Sequence, residues 1–217
     1  MFNILKKRCF LTVILALVVF GWPPTSLADS EIDSKVVSKD NAGSSSIDNN
    51  PKQPLLSPTA LHKKAVKLYD GDGVPKDLAE ARRLFTLAAE QGHAEAQLRL
   101  AVMMAKGEGG PPNKEEARRV LGLAAEQGQV FAQHLLGVML RLGEGGPEDK
   151  TEARRLLSLA AQQGHADAQV DLGNMVYSGE GGKQDKKEAL QLFLSASAKD
   201  NARAQYALGY IYSEVMK

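Results

Sequence analysis

A segment of seven residues recurs four times along the chain at a fixed spacing. It reads QGHAEAQ at 91–97, QGQVFAQ at 127–133, QGHADAQ at 163–169 and KDNARAQ at 199–205, so successive copies start 36 residues apart. A glycine-rich tetrapeptide keeps the same spacing, as GDGV at 71–74 and as GEGG at 107–110, 143–146 and 179–182. A period of this length is typical of solenoids, in which one supersecondary unit stacks on the next because a single unit cannot bury its apolar face alone.

Each 36-residue unit contains two helical patterns. In the first, apolar residues fall on one stripe between Asp77 and Gln91, with charged residues opposite. A capping residue begins each such pattern and a glutamate follows three residues later, which predicts a capping box. The second pattern runs from Ala94 to Lys106 and ends at a glycine suited to close a helix. The chain is therefore expected to form helix pairs at about 58–91, 94–127, 130–163 and 166–199, and a final helix at 202–216.

Three motifs resemble the signatures of the Sel1-like repeat family, a relative of the tetratricopeptide repeats. They are ADAQVDLGNMV at 166–176, GDGVPKDLAEA at 71–81 and AAEQGHAEAQ at 88–97. The resemblance covers residues 58–217 and implies an all-α, right-handed α-solenoid of about four repeats plus a C-terminal capping helix. Where the family has a tyrosine, the chain has Met104, Leu140 and Val176. Lys64 replaces a repeated leucine, and no partner follows the last helix, so both ends are expected to face solvent.

The segment 1–57 lies outside the repeat. Residues 6–8 are basic, Cys9 to Phe20 form an apolar run, and small residues precede Asp29. This pattern predicts a signal peptide at 1–28, cleaved between Ala28 and Asp29, and a periplasmic or secreted protein without a membrane span after cleavage. An uncleaved anchor is the alternative, but the run is shorter than the roughly 18 to 20 residues that a spanning helix needs. Residues 29–57 are rich in Ser, Asp and Asn, which predicts a disordered tether.

Charge and cysteine content exclude several classes of function. Removing the three basic residues of the signal peptide from 27 leaves 24 Lys and Arg against 26 Asp and Glu, a net charge of −2. This balance argues against a nucleic-acid partner. The chain's single cysteine, Cys9, lies in the signal peptide, so the mature protein can form no disulfide, thiolate metal site or cysteine nucleophile.

Other candidate sites favour structural roles. The glycine-rich turn at 107–112 could cradle a phosphate, but four equivalent copies indicate a repeat turn instead. His93 and His165 share one position in the turn between helices, and no two histidines are close enough in sequence to suggest a metal site. Paired arginines could form an anion-binding ridge, yet a glutamate precedes the second arginine by three residues, which predicts a self-compensated face. We therefore expect no catalytic residue, cofactor, metal or small-molecule substrate.

In tetratricopeptide-like solenoids the first helix of each pair lines the concave surface, so the family resemblance places a binding groove on the helices that begin the pairs, such as 94–106 in the pair 94–127. Positions that vary between copies there suit a surface for one extended partner. The predicted groove residues are Leu98, Val102, Phe131, His134, Val138, Arg141, Val170, Asn174, Tyr177, Tyr206 and Tyr210. We expect them to bind a peptide or helix of another exported or envelope protein.

The leading hypothesis is thus an exported, non-enzymatic adaptor or regulator. One alternative is an enzyme, or enzyme accessory, that acts on peptidoglycan or β-lactams. The resemblance includes cysteine-rich relatives associated with penicillin binding or hydrolysis, but the mature chain lacks their cysteines. A second alternative is a structural component of an envelope or motor complex that acts through its repeat ends.

Overall fold

A computed structural model describes residues 56–215 of the chain, with side chains as far as residue 213. The predicted signal peptide and tether residues 29–55 lie outside the described residues. The described part contains nine α-helices and no strand. They are α1 Pro58–Asp70, α2 Leu78–Glu90, α3 Ala94–Lys106, α4 Lys114–Glu126, α5 Val130–Leu142, α6 Lys150–Gln162, α7 Ala166–Ser178, α8 Lys186–Ser197 and α9 Ala202–Val215. This architecture confirms the predicted all-α repeat solenoid.

Polar side chains begin the even-numbered helices as the sequence predicts. Asp77 accepts a hydrogen bond from the backbone N–H of Glu80 at 3.0 Å, and Asn113, Asp149 and Asp185 repeat this cap. The reciprocal half of the expected capping box does not form at Asp77. Its N–H donates instead to the carbonyl of Leu68, and the Glu80 carboxylate binds Arg83. The preceding helix therefore satisfies the amide that the glutamate was expected to bind.

Glycines end the odd-numbered helices. Gly71, Gly107, Gly143 and Gly179 each adopt the left-handed conformation, with φ between 67° and 79°. A side chain is strained at such a φ, which explains why glycine recurs there. The glycine two residues further on has a different role. A Cβ at Gly109 would overlap the carbonyl oxygen of Leu78, so this turn packs directly against the start of α2.

Small residues allow each odd helix to pack closely against the even helix that follows. A Cβ at Gly137 would meet Leu157 at 2.8 Å, and one at Gly173 would meet Phe193 at 2.7 Å. Fully buried alanines line the same layer on the even helices. Consecutive helices pack against one another throughout, and α7 also contacts α5 and α9. The odd helices therefore lie side by side, with the even helices packed against them.

Buried glutamines join one repeat to the next. Gln97 donates to the carbonyl of Ala89 at 3.1 Å, and Gln133 and Gln169 make the same bond to the helix before them. The Gln127 side chain then donates to Gln97 Oε1 at 2.7 Å. Gln163 does the same for Gln133, so both ends of the Gln97 and Gln133 amides are satisfied, whereas Gln169 Oε1 has no hydrogen-bond partner among the described residues. The recurring AxAQ segment is thus part of the framework of the solenoid.

Candidate partner-binding surface

The structure divides the predicted groove residues into buried and accessible groups. Leu98, His134, Val138 and Val170 are buried, with at most 5% of each exposed. For these four, the prediction of a partner-facing side chain is wrong. The physical reason is visible at Tyr206, which occupies the same repeat position as Leu98, His134 and Val170 but is 80% exposed because no described helix follows α9. The next odd helix covers this column in the interior repeats.

Five of the predicted residues remain partly exposed on the interior odd helices α3, α5 and α7. We call them the odd-helix face: Val102, Phe131, Arg141, Asn174 and Tyr177. Their binding role stays a prediction. Tyr206 and Tyr210 are exposed but lie on α9, at the end of the described helices. The accessible part of the predicted groove is therefore narrower than the sequence suggests, and it mixes aromatic, apolar and polar side chains.

Neighbouring groups order two side chains of the odd-helix face. The Phe131 ring packs on His165 in a T-shaped arrangement, with 4.8 Å between the ring centroids. The Lys186 ammonium lies 5.4 Å from the centre of the Tyr177 ring. An ordered aromatic side chain loses little conformational entropy when a partner covers it. These two rings are consequently suited to anchor a partner.

Charges beside the face are arranged in pairs. Glu95 lies 3.6 Å from Arg99, Lys106 lies 3.5 Å from Glu108, and Arg141 lies 3.1 Å from Glu180. Glu108 also accepts a hydrogen bond from the Tyr69 hydroxyl at 2.8 Å. Burial and this bond raise the pKa of Tyr69 to about 12, so the hydroxyl keeps its proton at neutral pH. These pairs are partly exposed, and solvent screening limits the contribution of each to about 1 kcal/mol.

The paired arginines of the even helices do not form a free anion-binding ridge. Arg83, Arg119 and Arg155 each bind the glutamate three residues earlier at 2.7, 2.6 and 2.7 Å, which confirms the predicted compensation. The preceding arginine of each pair reaches the glycine-rich turn of the next repeat. Arg118, for example, donates to the carbonyl of Pro147 at 2.9 Å. The first arginine of each pair thus connects successive repeats, whereas the second is paired within its own helix.

The four histidines form two pairs in space, which the sequence analysis did not anticipate. His62 stacks on His93 with 4.7 Å between ring centroids, and the His134 and His165 centroids lie 4.6 Å apart. Closeness in sequence does not reveal these pairs, because the ring on one odd helix meets the residue that begins the next odd helix. The spacing of the histidines in the sequence does indicate the two pairs. The members of each pair are separated by the same interval, and the second pair follows the first by two repeats.

One histidine of each pair caps a helix. His93 Nδ1 accepts from the N–H of Ala96 at 3.2 Å, and His165 Nδ1 accepts from the N–H of Ala168 at 3.1 Å. This geometry confirms their predicted structural role. Burial, together with the neighbouring His134, lowers the pKa of His165 to about 4. The cap requires the unprotonated Nδ1, so a low pKa and the cap favour the same neutral form.

A buried polar network surrounds the second pair. His134 Nε2 donates to Asp171 at 2.8 Å, and Arg203 donates to the other oxygen of that carboxylate. Burial alone would raise the pKa of Asp171, but the hydrogen bond from His134 and the charge of Arg203 hold it well below its usual range. The network joins α5, α7 and α9. Sequence reasoning missed it, although Asp171 breaks its column, where equivalent positions hold Arg99 and Leu135.

A different contact alternates with the histidine pairs along the odd helices. Gln129 donates to Glu95 at 3.1 Å, and Asn201 donates to Asp167 at 2.8 Å. Each amide also caps its own odd helix. The framework therefore carries a second, longer period of two repeats, in which histidine stacking alternates with amide–carboxylate hydrogen bonds.

Within residues 56–213 no three His, Cys, Asp or Glu side chains are grouped so that they could hold a metal ion. None of the helices described is long and apolar enough to span a bilayer.

The Sel1 repeat family model matches residues 62–93, 94–129, 130–165, 166–201 and 202–214, which together are more than half of the chain. The chain belongs to the Sel1 repeat family. Its repeats in the family's register begin at the odd helices, so α3 and α4 form one unit, as do α5 and α6. The two partial matches at the ends contain α1 with α2 and α9.

Solved Sel1 repeat structures are similar to the described solenoid. A protective antigen of uropathogenic Escherichia coli with an SLR fold is 32% identical over 73% of this chain, with a TM-score of 0.70. A Sel1 repeat protein from Oxalobacter formigenes is 32% identical over 71% of this chain, with a TM-score of 0.68. The match spans 34% of the first protein and 64% of the second. A search of the curated proteins finds no similar sequence.

Proposed function

We propose that this protein is an exported adaptor or regulator that binds an extended segment of another exported or envelope protein along the odd-helix face. Sel1 repeat proteins generally mediate protein–protein interactions and are typically non-enzymatic scaffolds. The observation that carries the proposal is the contrast on the odd helices between a constant framework and variable accessible side chains. Gln97 and its equivalents recur in hydrogen-bonded positions, whereas Val102, Arg141 and Tyr177 differ from copy to copy.

The chemistry of the face suits a peptide or helix rather than a small molecule. Phe131 and Tyr177 lie on two successive odd helices, so their rings can contact one extended segment at two points. Asn174, between them in sequence, can bond the backbone of such a segment through its amide. Ordered aromatic anchors with polar groups nearby are typical of binding hot spots. The predicted signal peptide supports an exported or envelope partner.

The structure offers little support for the alternative of a cell-wall enzyme. His134 and Asp171 are paired as in many hydrolases, but both are buried. A substrate would have to displace the next odd helix to reach them. The paired side chains are better explained as a buried connection between repeats.

Photo-crosslinking in intact cells tests the proposed function. Benzoylphenylalanine is placed at Tyr177 on the odd-helix face or, as a matched control, at Leu123, which is 39% exposed on α4. We expect position 177 to yield a discrete crosslinked protein of the envelope and position 123 to yield none. Equal labelling from both positions, or no adduct from 177, would contradict the proposal.

A further inference from the structure

We propose that His165 is a positioning residue for partner binding, because it holds the Phe131 ring in the orientation that a partner contacts. This role rests on the proposed function, in which Phe131 is an aromatic anchor of the odd-helix face. Phe131 is the second residue of α5 and is partly exposed, and His165 immediately precedes the first residue of α7. Their ring planes meet at 87°, with the centroids 4.8 Å apart. Aromatic pairs favour this T-shaped geometry, so the contact orients the Phe131 ring.

The second residue of α3, α5 and α7 lies in each case against the residue that caps the next odd helix. On α3, Glu95 accepts a hydrogen bond from Gln129 at 3.1 Å. On α7, Asp167 accepts one from Asn201 at 2.8 Å. On α5 the second residue is Phe131, which has no acceptor oxygen, and the cap that it meets is an imidazole ring. The cap thus matches its neighbour, an amide with a carboxylate and a ring with a ring, so exchanging the cap alone should disturb the neighbour.

The His165 ring is itself fixed on two sides. Its Nδ1 accepts a hydrogen bond from the Ala168 N–H at 3.1 Å, and its centroid lies 4.6 Å from that of His134. The second ring is anchored in turn, because His134 Nε2 is bonded to Asp171 at 2.8 Å and both residues are buried. The His165 ring cannot turn without losing the cap or its packing on a buried neighbour. Its fixed orientation is therefore passed on to Phe131.

The surroundings of His165 favour its neutral form. Four titratable side chains face the ring from α5, α7 and the segment after α8, namely His134, Asp167, Asp171 and Lys199. Arg203 of α9 binds both aspartates, which weakens their attraction for a proton. Burial and the nearby His134 lower the pKa of His165 to about 4, so the ring is neutral at pH 7. Protonation would remove the acceptor for the Ala168 N–H and place a positive charge at the N-terminus of α7, so the Phe131 contact should be lost as the pH falls through about 4.

Two variants separate the ring of His165 from its cap. His165→Gln retains an acceptor for the Ala168 N–H, as Gln129 does for α5, but removes the ring. His165→Phe retains a ring beside Phe131 but removes the acceptor. If His165 served only the stability of α7, the phenylalanine variant would have the lower partner affinity. A positioning role predicts the reverse, with the lower affinity in the glutamine variant.

Isothermal titration calorimetry at pH 7.5 measures the affinity of these variants for a synthetic peptide of the segment captured by crosslinking from position 177. We expect His165→Gln to weaken binding about threefold to tenfold and His165→Phe to bind within about twofold of the wild type. The matched control is His93→Gln, because His93 caps α3 in the same way and Thr59, the second residue of α1, has no ring. This control should bind as the wild type does. Wild-type affinity in His165→Gln, or an equal loss in His165→Phe, would overturn the proposal.

Fluorine NMR of para-fluorophenylalanine at position 131 tests the positioning contact without a partner, in the full-length protein purified in the form in which cells accumulate it. With His165 present, we expect the resonance to titrate with a midpoint near pH 4 while circular dichroism shows that the helices remain formed. In His165→Gln this titration should be absent. The same titration in both proteins, or the same resonance in both at pH 7, would overturn the proposal. Because no partner is present, the measurement separates a failure of this contact from a failure of the wild type to bind the peptide, which would contradict the proposed function instead.

Discussion

The two histidine pairs occupy equivalent positions two repeats apart, but opposite charges approach them. The residue that comes 37 positions after His62 is Arg99, whereas the residue 37 positions after His134 is Asp171. His62 Nε2 is buried without a hydrogen-bond partner among the described residues, and burial with the nearby His93 and Arg99 lowers the pKa of His62 to about 4. His134 Nε2 is bonded to Asp171. The repeat framework thus fixes where a side chain lies, and the variable residue on the next odd helix decides its chemistry.

The two histidine pairs should differ most in how much stability is lost when the charged residue that faces each pair is removed. Asp171→Leu copies Leu135 of the same column but leaves His134 buried without its acceptor and Arg203 without one of its carboxylates. We expect a loss of about 3–5 kcal/mol in the free energy of unfolding. Arg99→Leu removes a partly exposed cation and should cost about 1 kcal/mol or less. Urea denaturation at pH 7 measures both, and similar losses would show that the two regions do not differ in this way.

Acid should destabilise the protein through both regions. The folded-state pKa values of His62 and His165 are about 4, below the ordinary value of 6.5, so the unfolded chain binds protons that the folded chain does not. These two histidines contribute their full stabilisation to the folded state above pH 6.5, and this stabilisation is lost as the pH falls toward about 4. The loss in the free energy of unfolding is roughly 1–2 kcal/mol per histidine after allowance for partial exposure. Asp171 stays ionised through this window because its pKa is held low.

A double variant isolates this contribution. His62→Leu copies Leu98, and His165→Gln copies Gln129, which caps α5 in the same manner. As the pH falls from 6.5 to 4, the free energy of unfolding of the wild type should decrease steadily relative to that of this variant. A difference that does not change with pH would show that neither ring is held neutral.

The smallest effect should come from exchanging one cap for another. His165→Gln retains an acceptor for the Ala168 N–H and should change the free energy of unfolding by less than about 1 kcal/mol, while His165→Ala should cost about 1 kcal/mol more. His93→Gln and His93→Ala are the matched pair in the first region. Thermal unfolding at pH 7.5 compares the four variants. If the glutamine and alanine variants lose equal free energy of unfolding, then ring stacking, and not the helix cap, accounts for the contribution of these histidines to stability.

The sequence predicted the framework well because the framework is what repeats. Each unit needs the same local geometry independently. The glycines that end helices, the polar caps that begin them and the small residue at Gly173 all reflect this need. The groove was predicted too broadly, since variation between copies does not distinguish an accessible position such as Tyr177 from one covered by a neighbouring helix such as Val170. That distinction depends on packing between repeats.

The buried network was missed for a related reason. His134, Asp171 and Arg203 are each ordinary residues in their own repeat, and only the stacking of three odd helices brings them together. The two-repeat period linking the histidine pairs was visible in the spacing of His62 and His134. The partner of each ring begins the next odd helix, so a search for histidines close in sequence could not find it.

The most direct test of the account is the affinity of the odd-helix face for the segment captured by crosslinking from position 177. Isothermal titration calorimetry compares the wild type with the triple variant Val102→Ala, Asn174→Ala and Tyr177→Ala. The control triple variant changes Arg119, Leu123 and Arg155 to Ala on the even helices. We predict that the first variant keeps its helical content and loses at least about tenfold in affinity, while the control binds as the wild type does. An unchanged dissociation constant for the odd-helix variant, or an equal loss in both, would contradict the assignment of partner binding to this face.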